Sequence, residues 1–149
     1  MRWVPLLIAL CVSPAWADFT GKVVAVADGD TITVLKDREQ VKVRLVEIDA
    51  PEKGQAFGNK SKQALSDLVY GKQVEVKERG KDQYKRTLGR IYRDGSDVNA
   101  EMVRLGMAWV YDRYATDRTL YQIQTEAKAE RRGLWADPKP VAPWEWRRR

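Results

Sequence analysis

A chain of 149 residues carries 27 lysines and arginines against 21 aspartates and glutamates, a formal net charge of +6, one cysteine and no histidine. That length supports one hydrophobic core and is too short for two full domains, and the basic excess favours a polyanionic partner, nucleic acid or an anionic membrane surface. Imidazole acid–base schemes, thiolate zinc sites and cysteine nucleophiles are excluded, which leaves Asp, Glu, Lys, Arg, Tyr, Ser and Thr, or a hard cation such as calcium or magnesium on oxygen ligands.

In chain order, Met1-Arg2, the apolar run 4–12 and Ala15-Trp16-Ala17 have the pattern of a secretory signal peptide, cut after Ala17. The apolar run is too short to span a bilayer. Cys11 follows Leu10, where a lipid-attachment signal wants a small side chain, so the only cysteine leaves with residues 1–17. The product is an exported domain, periplasmic or secreted, held together by its core alone.

Residues 19–27 read as a strand rich in Val23, Val24 and Val26, and Asp28-Gly29-Asp30 as a sharp turn. Residues 31–35 form a second strand, and 41–46 a third in which apolar and basic residues alternate. Pro51 and Gly54 break that pattern. Ala64, Leu65, Leu68 and Val69 then fall at helical spacing, with Gly71 as the stop. Residues 73–77 are a fourth strand, 80–85 a polar loop, and 87–92 a fifth strand ended by Asp94-Gly95. A second helix carries Val98, Met102, Val103 and Leu105 and stops at Gly106, and a third spans 117–132 before Gly133. The result is an α+β, mainly β fold: a five-stranded barrel of the oligonucleotide-binding (OB) kind with three helices, over residues 18–136. Residues 137–149 hold three prolines, Trp144, Trp146 and Arg147-Arg148-Arg149, with no helical or strand period. They read as a mobile basic-aromatic tail, able to touch an anionic membrane weakly.

Charged residues concentrate at strand ends. Asp30 opens strand two and Asp49 leaves strand three, so a hairpin brings two carboxylates together, and these repel unless a proton or a cation lies between them. Against this stands a plain turn at Asp28-Gly29-Asp30, and both readings are open at this point. Pro51 stiffens the chain between Asp49 and Glu52, which stands near such a cation as a group to orient or deprotonate water. Arg44, off the core face, and Arg86, just before strand five, offer planar guanidinium groups to phosphate oxygens. A lone arginine is ordinarily a solvated surface charge, and it is the acid clusters beside these two that single them out. Tyr84 can hydrogen-bond a phosphate or stack on a base, and Tyr111 and Tyr114 are candidates for base stacking, against which a core or surface role stands at least as well. Trp109 and Trp135 read as core.

The ordered set Asp28-Gly29-Asp30-Thr31, Arg44-Leu45, Ile48-Asp49-Ala50-Pro51-Glu52, Tyr84-x-Arg86, Asn99, Gly106-Met107-Ala108-Trp109 and Arg132-Gly133-Leu134-Trp135 resembles the staphylococcal nuclease (thermonuclease) family. The resemblance implies a sugar-nonspecific endonuclease that hydrolyses DNA and RNA with one calcium ion and leaves 5′-hydroxyl and 3′-phosphate ends. It implies Asp30 and Asp49 as calcium ligands, with Ala50 donating its main-chain carbonyl, and Glu52 as the group next to the attacking water. Arg44 and Arg86 would clamp the scissile phosphate. A monomer with no obligate protein partner is expected. Two departures stand out: Lys85 sits where the family usually has glycine, costing turn flexibility but offering the phosphate another cation, and the segment from Tyr111 to Tyr114 differs from the family's tyrosine-rich base pocket. The alternative is a non-catalytic nucleic-acid-binding module of the same fold, which should lack some of Asp30, Arg44, Asp49, Glu52 and Arg86. All five are present. An exported structural or membrane-associated protein using its basic tail is a third reading.

Overall fold

Alternation of apolar and polar side chains builds the sheet of this protein, whose computed structural model describes residues 17–149. The leader expected at 1–17 lies almost wholly outside the described residues. In β1 (Phe19–Asp28) Gly21 and Val23 are buried on either side of exposed Lys22, and β2 (Thr31–Lys36) buries Ile32 and Val34. The strand β3 (Glu39–Leu45) buries Val43 and Leu45, and β5 (Gln73–Lys81) buries Val74 and Val76 between exposed Gln73, Glu75 and Lys77. Each is the period-two pattern of a strand with one wet face. β6 (Thr87–Arg93) carries Ile91 into the same core.

The strands pair antiparallel in the order β3-β2-β1-β5-β6. A parallel pairing of β3 with β6, Val43 beside Thr87 and Arg44 beside Leu88, closes the ring. Register shifts in β1 at Val23/Ala25 and Val26/Asp28, and between Glu78 and Lys81 in β5, bend the strands enough for closure. The expected five-stranded OB-like barrel is therefore the fold. β5 runs further than its alternating segment, because Glu78 and Lys81 still pair with β6 across the bulge.

Three helices complete the core. α1 (Gly58–Val69) buries Gly58, Ser61, Leu65 and Val69, a single stripe at helical spacing. α2 (Val98–Arg104) and α3 (Arg118–Ala129) begin at Asp97 and Asp117, whose side chains accept from the amides of Ala100 and Thr119. α3 ends short of the expected 132: a 3-10 turn, Gly133–Ala136, follows, because Gly106 and Gly133 cross in close contact and the amide of Leu134 donates to Gly106 O at 2.8 Å. Two-residue strands β4 (Ile48–Asp49) and β8 (Trp109–Val110) pair outside the main sheet, and β7 (Ser96–Asp97) extends its edge. Such short pieces carry no readable period.

The segment 137–149 departs from the extension expected of it. Pro143–Trp146 form a helical turn, α4, with proline in its first turn where the missing N–H costs nothing. Trp144 packs on Trp109 and Tyr111. No helix among the described residues is long and apolar enough to cross a membrane.

Candidate active site

The site begins at the turn between β1 and β2. Gly29 is required there: a Cβ on it would fall 1.8 Å from the Ser61 hydroxyl of α1, itself held to Met107 O at 2.6 Å. Seated against α1, the turn delivers Asp30 into the interior, 5 % exposed. Its carboxylate accepts from the Thr31 hydroxyl at 3.0 Å and from the amide of Ala50 at 2.8 Å. The last bond ties the turn to the chain just beyond β4. Asp49, 1 % exposed, and Ala50 are thereby held beside Asp30.

Arg44 stands opposite Thr31 in the β2–β3 ladder. Its Nη1 donates to the carbonyls of Leu45 and Ile48, the latter at 2.9 Å, which fixes the plane of the guanidinium. Its Nη2 then lies 3.4 Å from Asp30 Oδ2 and 3.4 Å from Asp49 Oδ1. One cationic nitrogen between two buried carboxylates is the geometric centre of the site. Burial and the neighbouring Asp30 charge push Asp28 up to about 7. Burial raises Asp30 too, but the Arg44 charge and hydrogen bonds from Asp28, Ala50 and Thr31 outweigh it, so Asp30 stays below the usual carboxylate range. Asp49 is raised, chiefly by burial, with Asp30 adding to it against Arg147 and Arg44. The site holds more carboxylate than Arg44 neutralises.

Glu47, to which the sequence reading assigned no role, holds the turn that presents Asp49. It takes left-handed backbone, φ 66°, and is 5 % exposed. Its Oε1 accepts from Thr116 N at 2.7 Å, Thr116 Oγ1 at 2.9 Å and Asp117 N at 2.8 Å. Its Oε2 accepts from Arg90 at 2.8 Å and Arg79 at 3.0 Å. Arg90, 4 % exposed, also binds Asp97 and Asp117 and so ties the N-termini of α2 and α3 to this turn. Asn99, fully buried, accepts from Ile91 N and donates to Val46 O and Gly89 O, joining α2 to the same turn. The signal missed was acceptor-rich Glu47 between two strand ends, which spacing cannot pair with Arg90 or Thr116.

Glu52 follows at the rim, its amide donating to Gln55 Oε1 at 3.0 Å. Its carboxylate and that of Asp49 are both engaged by Arg147 from the tail: Nη1 to Asp49 Oδ1 at 3.1 Å and to Glu52 Oε1 at 2.7 Å, Nη2 to Asp49 Oδ2 at 2.8 Å. Tyr111, 5.0 Å from Tyr114 edge-on, stacks on Trp144 at 5.4 Å and 9°. Asp30, Arg44, Asp49, Ala50 and Glu52 are thus brought together, with Tyr111 linked to them through α4. Trp109 and Trp135 pack at 4.5 Å in a second small core.

Arg86 is held elsewhere. Its Nε donates to Asp82 Oδ2 at 2.7 Å, and its guanidinium lies 5.5 Å from the ring of Tyr84, which is 71 % exposed. Lys85 adopts φ 63°, the conformation for which glycine is the usual residue. The parallel pairing of Arg44 with Leu88 sets the start of β6, and so this loop, alongside the end of β3 that bears Arg44.

No three acidic side chains among the described residues form a ready-made metal cage. The donors present are two buried carboxylates and a neighbouring main-chain carbonyl, all oxygen. A hard cation that keeps several waters fits such a set, whereas a dehydrated or nitrogen- or sulfur-seeking ion does not.

The profile of the family described as "Staphylococcal nuclease homologue" matches residues 42–137. The chain is 47 % identical to "Micrococcal nuclease" of Shigella flexneri over 160 aligned residues, covering 99 % of this chain and 92 % of that protein. It is 53 % identical to an "Uncharacterized endonuclease" of Haemophilus influenzae, covering 87 % and 73 % of the two chains, and 46 % identical to "Protein ParB" of Escherichia coli, covering 96 % and 87 %. With two buried carboxylates set around one arginine at the end of the barrel, and on these matches, the chain belongs to the staphylococcal nuclease family.

Proposed function

We propose that this protein is an exported, calcium-dependent, sugar-nonspecific endonuclease that hydrolyses phosphodiester bonds of DNA and RNA. The observation that carries the reading is the convergence of buried Asp30 and Asp49 on the Arg44 guanidinium, with Ala50 and Glu52 next in the chain. Asp30, Asp49 and the Ala50 carbonyl would hold calcium, which when bound supplies Lewis-acid stabilisation of a phosphate oxygen. Glu52 orients a water and accepts its proton as the oxygen attacks phosphorus. Arg44 and Arg86 donate to the equatorial oxygens, where charge grows in the transition state. The bond from phosphorus to the 5′ oxygen breaks, and that oxygen takes up a proton, leaving a 5′-hydroxyl and a 3′-phosphate. Tyr84, Lys85 and Tyr111 contact the nucleic acid, and the enzyme acts as a monomer. Export rests on the leader pattern of residues 1–17.

Digestion of plasmid and of RNA with calcium, magnesium or chelator, for the wild type, Glu52→Gln and Arg86→Ala, tests the reading. Calcium should restore activity and magnesium should do so poorly. Removing a group that acts in the transition state should cost each variant on the order of a hundredfold or more. Full activity in chelator would refute the metal, and full activity in both variants would refute the assigned site.

A further inference from the structure

The tail meets the site at three fixed points. Gln55 Nε2 donates to Val141 O at 2.7 Å, anchoring the segment before α4. Trp144 lies flat on Tyr111 and edge-on to Trp109 at 5.5 Å. Three residues on, Arg147 emerges on the same side of the helical turn and covers both oxygens of Asp49 and one of Glu52. The short helix therefore places an aromatic ring on the proposed base-stacking tyrosine and a cation on the proposed calcium ligand.

We propose that residues 141–149 are a cation-gated strap: Arg147, braced on Glu52, competes with calcium for Asp49, so calcium entry and release of the strap are linked. This deepens the functional reading above and rests on Asp49 being a cation ligand. The competition is direct. A calcium ion must sit about 2.3–2.6 Å from a ligating carboxylate oxygen. Arg147 holds Asp49 through two parallel N–H···O bonds, the strongest pairing a carboxylate makes with a side chain, and it fills the approach to both oxygens. The affinity for calcium is then lowered by the fraction of molecules in which the strap is open. Trp144 and the Gln55 bond hold the strap near the site once Arg147 lets go, so it recloses as calcium falls.

Isothermal calorimetry of calcium binding to the full chain, without nucleic acid, tests this on the wild type, Arg147→Gln, Arg147→Lys and Arg148→Gln. Arg148 is exposed and serves as the charge-matched control. If the strap is closed about nine-tenths of the time, Arg147→Gln tightens calcium binding about tenfold. Arg148→Gln should leave it within about twofold, the scale of screened surface charge. Arg147→Lys, which keeps the charge and most of the volume but loses the fork, should fall between and guards against misfolding. Hydrogen exchange at the amides of 144–149 should quicken on adding calcium to the wild type. Equal calcium affinity in wild type and Arg147→Gln, or equal tightening in Arg148→Gln, would overturn the strap and leave the calcium site standing. Unchanged exchange would overturn release. No calcium binding by any of the four would overturn the strap and the calcium reading together.

Discussion

Replacing Glu47 by glutamine keeps the shape of the side chain and removes half of what it does. The amide oxygen can still accept from Thr116 and Asp117, but its NH2 then faces Arg79 and Arg90, donor against donor. The Arg79 side chain, 45 % exposed, can swing into water, while the buried side chain of Arg90 cannot, although it keeps Asp97 and Asp117. Breaking a buried charge pair costs about 3–5 kcal/mol, and the retained partners of Arg90 place Glu47→Gln at about 3 kcal/mol. For a domain of this size that is a fall in melting temperature of roughly 10 °C. The effect has a pH signature. Burial pushes the Glu47 acid up, but hydrogen bonds from the Thr116 and Asp117 amides and the Thr116 hydroxyl, with the charge of Arg79, hold it below its ordinary value of 4.5. A folded-state value below the unfolded one means the contribution is complete above the ordinary value and is lost as pH falls through the lowered one. Urea unfolding followed by tryptophan fluorescence should give a constant gap between wild type and Glu47→Gln near neutrality, narrowing steadily below pH 4.5. A gap under about 1 kcal/mol, the scale of an exposed pair, or one that does not narrow in acid, would refute the reasoning.

Lys85→Gly should stabilise the protein by about 1 kcal/mol, because glycine adopts the φ of 63° without the Cβ penalty. The same change should lower the salt dependence of nucleic-acid binding by about one phosphate contact. A lower urea midpoint would speak against a strained loop. Gly106→Ala should cost more than about 2 kcal/mol, since its Cβ would lie 2.1 Å from Arg132 O at a φ of 68°. Gly95→Ala, at φ 79° with no atom within 4 Å, carries only the backbone strain of about 1 kcal/mol. Equal melting temperatures for the two alanine variants would remove the close crossing of Gly106 and Gly133 as a cause.

Most of the barrel was legible because its strands bury one face: Val74 and Val76, or Val43 and Leu45, announce themselves by parity alone. The helices were legible from Leu65 and Val69, or Leu120 and Ala127, at helical spacing with glycine beyond. The candidate acids stood out for a different reason. With no histidine and no cysteine after Cys11, the acids at strand ends were among the few residues left to bear chemistry.

The partners of those acids were not legible. Nothing local in Glu47 pairs it with Arg90, 43 positions away, or with Thr116, 69 away, since spacing constrains neighbours within a strand or helix and not across the barrel. The turn of helix in the tail was not legible for the same cause: α4 is one turn long, too short to show a period, and it is held by tertiary contacts of Trp144 and Arg147 rather than by its own propensity. The sequence by itself determined the longer strands and helices, the barrel and the residue types from which a site could be made. Only the tertiary structure decided that Asp30 and Asp49 share one guanidinium, that Glu47 braces their turn and that Arg147 reaches them. Each of those contacts joins groups that become neighbours only once the chain has closed on itself.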